Sequence, residues 1–113
     1  FLVDVTIVKV IIETSQLREA EKKENLSEGS LVQKASEIAA KAQADFVKTS
    51  TGLHKAGGVK ENDVRLIKQV IPDTVKVKAA GGIKTLKQVK DLLAEGVDRI
   101  GTSAADQILS EII

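Results

Sequence analysis

The sequence "ADFVKTSTG" at residues 44–52 begins like a buried strand, yet it carries Lys48 near its end and then stops in small hydroxylated residues and a glycine. The stretch "VKVKAAGG" at residues 75–82 follows the same plan with Lys78. Side chains alternate between the two faces of a strand, so Lys48 lies opposite its neighbour Val47. We therefore expect both lysines to point away from the layer of helices that covers the valine face.

Strand-like runs recur along the chain, each short, rich in β-branched residues and bounded by Gly, Pro, Asp or Ser. They comprise residues 6–13, 44–50, 74–80 and 97–103. Between and after them, apolar residues with helical spacing predict four helix faces. These faces are Leu31, Ala35, Ile38, Ala39 and Ala42; Val64, Ile67, Val70 and Ile71; Leu86, Val89, Leu92 and Leu93; and Ile108, Leu109 and Ile112.

Strand and helix thus alternate four times, which predicts right-handed crossovers and a parallel sheet with helices on its outer face. The predicted fold is α/β, with a (βα)4 order in a single domain over residues 1–113. A chain of 113 residues is long enough for one such core. It contains only two aromatic residues, so the core is expected to be built from Ala, Val, Ile and Leu.

Several local features refine this prediction. Residues 85–88 and 103–106 resemble capping boxes, with Thr85 and Ser103 as the N-caps, and Gly96 lies where a helix C-cap glycine is expected. The charged residues 18–29 are interpreted as a solvated helix turn or a mobile surface loop.

Single polar residues are interpreted by their position in the predicted elements. His54 is predicted to be an exposed loop residue. Asp45 and Asp98 are predicted to be strand-entry residues, and Glu13 either faces the inside of the sheet as a partner for a lysine or simply ends its strand.

Composition excludes several classes of function. A net charge of +1 with interspersed acids and bases gives no basis for binding nucleic acid or membranes. The absence of cysteine and the single histidine exclude a zinc cluster, and no apolar run approaches the ~20 residues of a membrane span. We expect a soluble cytoplasmic protein without a metal or an organic cofactor.

The paired lysines indicate a specific chemistry. Two ammonium groups in a partly desolvated pocket disfavour each other's charge, so the pKa of one falls and a neutral amine becomes available. A neutral amine attacks a carbonyl to give an imine, which acts as an electron sink. The alternative for either lysine alone is that its ammonium group simply reaches water at the strand end.

Three small-residue loops follow the predicted strands, namely "STG" at 50–52, "AGGIKT" at 80–85 and "IGTSA" at 100–104. Their backbone N–H groups can approach an anion closely, and the last two loops lead into helix N-termini. Lys84 adds a local positive charge. Loops at the ends of barrel strands are a frequent phosphate site, so the pattern favours phosphate binding over turn chemistry alone.

Taken in this order and spacing, "VKVIIET", "ADFVKTSTG", "VKVKAAGGIKT" and "DRIGTSA" closely resemble the 2-deoxyribose-5-phosphate aldolases, which are class I aldolases on a TIM (β/α)8 barrel. The resemblance implies that Lys48 is the Schiff-base lysine and that Lys78 lowers its pKa. It implies reversible cleavage of 2-deoxy-D-ribose 5-phosphate to D-glyceraldehyde 3-phosphate and acetaldehyde. The residues matching the phosphate site of the family are Gly52, Gly81, Gly82, Lys84, Gly101, Thr102 and Ser103.

The chain also departs from the family pattern. It contains only what resembles strands five to eight of the barrel, and it lacks the aspartate that completes the proton relay in the family. Ala104 replaces a serine or glycine that many members have after "GTS". We therefore expect pairing with a missing N-terminal half or with a second copy. A catalytically inactive phosphate-binding half-barrel is the alternative function.

Overall fold

The computed structural model describes residues 6–54 and 57–113. Strands and helices follow one another through these residues, with two helices in the first crossover. Their bounds are β1 Lys9–Ile11, α1 Thr14–Lys23, α2 Ser30–Lys41, β2 Phe46–Lys48, α3 Glu61–Lys68, β3 Lys76–Ala80, α4 Leu86–Ala94, β4 Arg99–Gly101 and α5 Ala105–Ser110.

The strands form one four-stranded sheet in the order β1-β2-β3-β4, and every neighbouring pair is parallel. This confirms the predicted α/β class and the half-barrel order of strands and helices. Each regular strand is shorter than the apolar run that predicted it. At the end of β2, for example, Thr49 still donates its N–H to the carbonyl of Lys78, 3.0 Å away, but its hydroxyl already bonds the backbone of Ala80.

The core lies between the sheet and the helices. Val47 and Val77 are register partners on β2 and β3, and both are fully buried. Ala79 continues this face, while Val64 and Ile67 of α3 are buried in the same cluster. Each buried aliphatic side chain stabilises the fold by about 1.5–3 kcal/mol relative to exposure, so this layer supplies most of the driving force for folding.

Residues 18–29 are more ordered than the sequence suggested. Residues up to Lys23 belong to α1, and Glu21 is only 3% exposed. The Glu21 carboxylate accepts hydrogen bonds from the N–H groups of Gly29 and Leu31, at 2.9 and 2.8 Å. It therefore caps the start of α2 from a neighbouring helix, which a local reading of a charged run cannot predict.

The predicted face of α2 is wrong in part. Ala39 is buried as expected, but Ile38 is 57% exposed, and Val32 and Ser36 face the core instead. Ser36 can be buried because its hydroxyl donates to the carbonyl of Val32, 2.8 Å away.

The helix ends confirm two predictions and contradict a third. The Thr85 hydroxyl accepts from the N–H of Gln88 in the expected capping box of α4. Gly96 follows that helix with a φ of +98°, as expected of a glycine at a helix C-terminus. Ser103, however, caps nothing: α5 begins after Ala104, whose N–H donates to the Thr102 hydroxyl at 2.9 Å.

Among the described residues, no helix has the length and apolar character needed to cross a bilayer.

Candidate active site

The two lysines lie side by side on adjacent strands. Lys48 of β2 and Lys78 of β3 are register partners, so their side chains leave the same face of the sheet. This is the inner face, because Val47 and Val77 occupy the opposite, helix-covered face. Both lysines are half-buried.

The electrostatic surroundings of Lys78 favour a neutral amine. Partial burial lowers the pKa of its ammonium group, and the positive charges of Lys9, Lys48 and Arg99 lower it further. From the sequence, Lys78 is expected only to act on the charge of its neighbour Lys48. The structure adds Lys9 and Arg99 to the cations that lower the pKa of Lys78.

A buried threonine holds the ends of β2 and β3 together. The Thr49 hydroxyl donates to the carbonyl of Ala80 at 3.2 Å and accepts from its N–H at 3.1 Å. Thr49 is fully buried, and Ser50 donates a further hydrogen bond to its hydroxyl at 3.2 Å. These hydrogen bonds fix the position of Lys48 relative to the loop that follows β3. Strand alternation puts Thr49 on the same face as Val47, but nothing in the sequence indicates its bond to Ala80.

A cleft of about 260 Å³ opens at the carboxyl ends of the strands. The three predicted loops border it. Its lining consists of Lys48, Thr51, Ala80, Gly81, Gly82, Ile83, Lys84, Gly101, Thr102 and Ser103. The predicted phosphate residues thus line one cleft together with Lys48, except for Gly52. Lys78 lies next to Lys48 but outside this lining.

Gly52, a predicted phosphate residue, does not line the cleft, whereas its neighbour Thr51 does. Gly52 has a φ of +84° and no atom within 4 Å of an added Cβ, so it shapes the turn without closing on the cleft. Thr51 lines the cleft instead, and both its N–H and its hydroxyl donate to the Glu13 carboxylate. The suggested pairing of Glu13 with a lysine is therefore wrong, because its carboxylate holds the Thr51 loop.

The loop after β3 requires its glycines. Gly81 and Gly82 have φ values of +97° and +72°, which other residues rarely adopt. Gly58 packs directly on this loop, where an added Cβ would lie 1.9 Å from the carbonyl oxygen of Gly81. The adjacent Val59 N–H donates to that same carbonyl at 3.1 Å. Gly58 was not singled out from the sequence, because a loop glycine carries no sign of which backbone it touches.

Gly101 makes room for Lys78. An added Cβ at Gly101 would lie 3.3 Å from Cε of Lys78 and 3.2 Å from Cβ of Ala80. The missing side chain of Gly101 therefore leaves room for the Lys78 side chain on the inner face of the sheet.

Hydrogen bonds determine which donors of the cleft can meet an anion. The Gln88 side chain accepts from the N–H groups of Lys84 and Thr85 at the start of α4. In the described chain, the N–H groups of Gly82, Ile83 and Ser103 donate to no protein acceptor. Near α4, the described N–H groups that could bind an anion are therefore those of the preceding loop, and not those at the start of the helix.

Other polar residues have structural partners. Asp45 and Asp98 accept hydrogen bonds from the N–H groups of Val8 and Val77, at 2.8 and 2.9 Å, as strand-entry residues do. His54 is half-buried rather than exposed, and its Nδ1 lies 3.0 Å from the Ser15 hydroxyl. Over residues 6–54 and 57–113, no cluster of three or more acidic or histidine side chains could hold a metal ion.

Comparison with known proteins adds independent information. The model of the family described as "DeoC/LacD family aldolase" matches residues 5–105. The deoxyribose-phosphate aldolase of Caldicellulosiruptor saccharolyticus is 45% identical over 105 residues, which are 93% of this chain and 43% of the relative. That of Staphylococcus carnosus is 46% identical over 102 residues, 90% of this chain and 41% of the relative.

A solved aldolase structure has a similar fold. The structure of "QR15, an Aldolase" superposes with a TM-score of 0.76 at 39% identity, covering 92% of this chain and 42% of that one. The chain therefore spans about two fifths of the length of the relatives that it matches.

Proposed function

We propose, since this chain belongs to the DeoC/LacD family of aldolases, that it supplies the reacting lysines and the phosphate site of a class I aldolase. The reaction is the reversible cleavage of 2-deoxy-D-ribose 5-phosphate to D-glyceraldehyde 3-phosphate and acetaldehyde. The observation that carries the proposal is the register pairing of Lys48 with Lys78 beside the cleft.

Lys48 acts as the nucleophile. It is the lysine of the pair that lines the cleft, so a substrate held there lies within its reach. Its neutral amine adds to the substrate carbonyl and loses water to form an imine. The protonated imine withdraws electrons from the bond between the α and β carbons. As the β-hydroxyl loses its proton, that bond breaks, which releases D-glyceraldehyde 3-phosphate and leaves an enamine on Lys48. Protonation of the enamine and addition of water then release acetaldehyde and the free amine.

Lys78 acts as the proton-transfer group. The lowered pKa of its ammonium group brings it closer to neutral pH, where an amine can both accept and return a proton. In the family pattern an aspartate assists this lysine. That residue lies outside the present sequence, so the second barrel half must provide it.

The cleft holds the substrate phosphate. Support comes from the N–H groups of Gly82, Ile83 and Ser103, which donate to no described acceptor, and from the nearby charge of Lys84. The Thr102 hydroxyl donates to the carbonyl of Ile83 at 2.5 Å, so Thr102 holds two of the loops in register. Gly52 shapes the turn beside the cleft with a φ of +84°, and its place in the phosphate site stays a prediction.

The 113 residues correspond to strands five to eight of a (β/α)8 barrel and pair with a second half. β1 and β4 end the sheet on either side, and each therefore presents an unpaired edge in the described structure. Closing the barrel satisfies both edges and completes the site. The cytoplasmic location expected from the sequence stays a prediction.

A chimera tests this function. This chain replaces the matched segment of the Caldicellulosiruptor saccharolyticus relative, and aldol cleavage is measured from the glyceraldehyde 3-phosphate released. We expect Lys48→Arg to lower kcat by roughly 10³-fold or more, because arginine forms no imine. Lys78→Arg is expected to lower it by roughly 10²-fold, the size of a lost proton-transfer group.

The matched control is Lys34→Arg, at an exposed position of α2. It should leave kcat unchanged. Unaltered cleavage by the Lys48→Arg chimera would remove the proposal, and loss of activity in Lys34→Arg would show that the chimera is too fragile to test it. In that case imine trapping on the unsubstituted chimera decides between an aldolase and an inactive phosphate-binding half-barrel.

A further inference from the structure

Arg18 of α1 and Asp63 of α3 form a buried ion pair outside the lining of the cleft. Their side chains are 17% and 1% exposed, and the Arg18 guanidinium donates to the Asp63 carboxylate. Taking two charges out of water costs free energy that their attraction often only balances. Stabilisation alone is therefore a weak explanation for this pair, and its other contacts indicate what it does.

The ion pair holds the backbone of the segment that precedes α3. Nη2 of Arg18 donates to the carbonyl of Gly58, 3.0 Å away. The Asp63 oxygen that meets Arg18 also accepts from the N–H of Lys60 at 2.8 Å. The planar fork of a guanidinium group suits two acceptors at once. One ion pair thus fixes the residues on either side of Val59.

The fixed segment lies against the glycine loop that follows β3. The Val59 N–H donates to the carbonyl of Gly81 at 3.1 Å, and an added Cβ at Gly81 would lie 3.0 Å from Cα of Gly58. The Gly81 carbonyl and the Gly82 N–H belong to one planar trans peptide unit, so they point in opposite directions. By holding the carbonyl, Val59 therefore sets the direction of the Gly82 N–H, which donates to no described acceptor.

We propose that Arg18 and Asp63 are positioning residues for the phosphate-binding N–H group of Gly82. They act through Gly58 and Val59 and do not touch the substrate. A donor that is already oriented binds an anion without an ordering cost at the moment of binding. Losing the ion pair should therefore weaken the grip on phosphate and leave the chemical step unchanged. The proposal rests on the phosphate site of the proposed function.

Arg18→Lys in the chimera tests this role. Lysine keeps a positive charge beside Asp63, but it lacks the fork that also reaches the Gly58 carbonyl. We expect the KM for 2-deoxy-D-ribose 5-phosphate to rise about fivefold, the effect of roughly one lost hydrogen bond, with kcat unchanged. With unphosphorylated 2-deoxy-D-ribose, kcat/KM should not change, because this sugar has no phosphate to bind.

Asp63→Asn provides a second variant. Asparagine keeps a side-chain oxygen for the Lys60 N–H, but it removes the charge that holds Arg18. The same loss, restricted to the phosphorylated sugar, is expected. Since both residues act through one contact, the double variant Arg18→Lys/Asp63→Asn should lose no more than the weaker single variant. Losses that multiply would contradict a shared path to the loop.

The matched control is Arg65→Lys, in the exposed ion pair that joins α3 to Glu95 after α4. It should leave both substrates unaffected. An equal rise of KM in Arg65→Lys, or equal losses of kcat/KM on the two sugars in Arg18→Lys, would overturn the proposal, because either result is that of a general loss of stability.

Inorganic phosphate tests the same contact without catalysis. The chimera is labelled with ¹⁵N-glycine and titrated with inorganic phosphate, and the Gly82 amide signal is followed by NMR. We expect this signal to shift on binding, with a Kd about fivefold weaker in Arg18→Lys. An unmoved Gly82 signal, or equal affinity in the variant, would overturn the proposal. A chimera that binds phosphate in this way but cleaves neither sugar would contradict only the aldolase assignment.

Discussion

The outer face of the sheet is apolar and covered by helices, whereas the inner face carries cations and has no covering layer in the described structure. Val47 and Val77 on the outer face are fully buried, while their sequence neighbours Lys48 and Lys78 are only half-buried. A single residue step along a strand thus separates a position that stabilises the fold from one that faces the candidate site.

This difference shows how one sequence serves two purposes. The alternation of β3, with burial highest at Val77 and Ala79, lets the helices complete one layer while the lysines stay available on the other. Stability is therefore expected to depend on the outer face and chemistry on the inner face.

The largest expected effect comes from placing a charge on the outer face. Val77→Asp puts a carboxylate in the fully buried core with no partner, and we expect a loss of about 3–5 kcal/mol in the free energy of unfolding. Urea denaturation followed by circular dichroism measures it. The matched change Lys76→Asp, at the exposed neighbouring position of the inner face, should cost less than about 0.5 kcal/mol. Equal losses would contradict the distinction between the faces.

A smaller loss is expected from the cap of α2. Glu21→Ala leaves the N–H groups of Gly29, Leu31 and Val32 without their acceptor, at a cost of about 2 kcal/mol. Chemical denaturation gives the value, and Glu24→Ala at an exposed site serves as the control. If the two substitutions cost the same, the buried carboxylate does not cap the helix.

Thr49→Val tests the hydrogen bonds that join the ends of β2 and β3. Valine has almost the same shape, but it cannot bond the backbone of Ala80, so a loss of about 1–2 kcal/mol is expected. Hydrogen exchange at the Ala80 amide should speed up in parallel. Unchanged exchange would show that the hydroxyl is not needed to hold β2 and β3 together.

The smallest effect is a change in pH dependence. Because the pKa of Lys78 is lowered in the folded chain, the unfolded chain binds more protons between that lowered value and the ordinary 10.5. Stability should therefore rise with pH across this window. Lys78→Met removes this gain, which is measured by thermal unfolding at a series of pH values. A slope that is identical in the variant would contradict the lowered pKa.

Much of the fold could be predicted from the sequence, since strand alternation and helix spacing are local patterns. Local patterns of this kind were enough to predict the positions of the lysines, the parallel sheet and the Thr85 cap. Ser103 failed as a cap because α5 begins one residue later, after Ala104, whose N–H donates to the Thr102 hydroxyl. The rest depended on contacts between distant segments, such as Glu21 with α2 or Gly58 with Gly81, and neither residue type indicates its partner.

The candidate site, too, could be predicted from the sequence only in part. Loop composition indicated where an anion could bind, but it did not distinguish Gly52 from Thr51, because that choice depends on the Glu13 carboxylate from another loop. Phe46 gave no sign of the cations that flank its ring, since Lys9 and Arg99 belong to different strands.

The most direct test of the central claim is the position of a trapped imine. The chimera carrying this chain is treated with acetaldehyde and borohydride, and its peptides are mapped by mass spectrometry. Aldolase chemistry on the inner face predicts the mass of one added ethyl group at Lys48, lost in Lys48→Arg and not transferred to Lys34. An ethyl group spread evenly over the exposed lysines, or absent from Lys48, would contradict the assignment of Lys48 as the nucleophile.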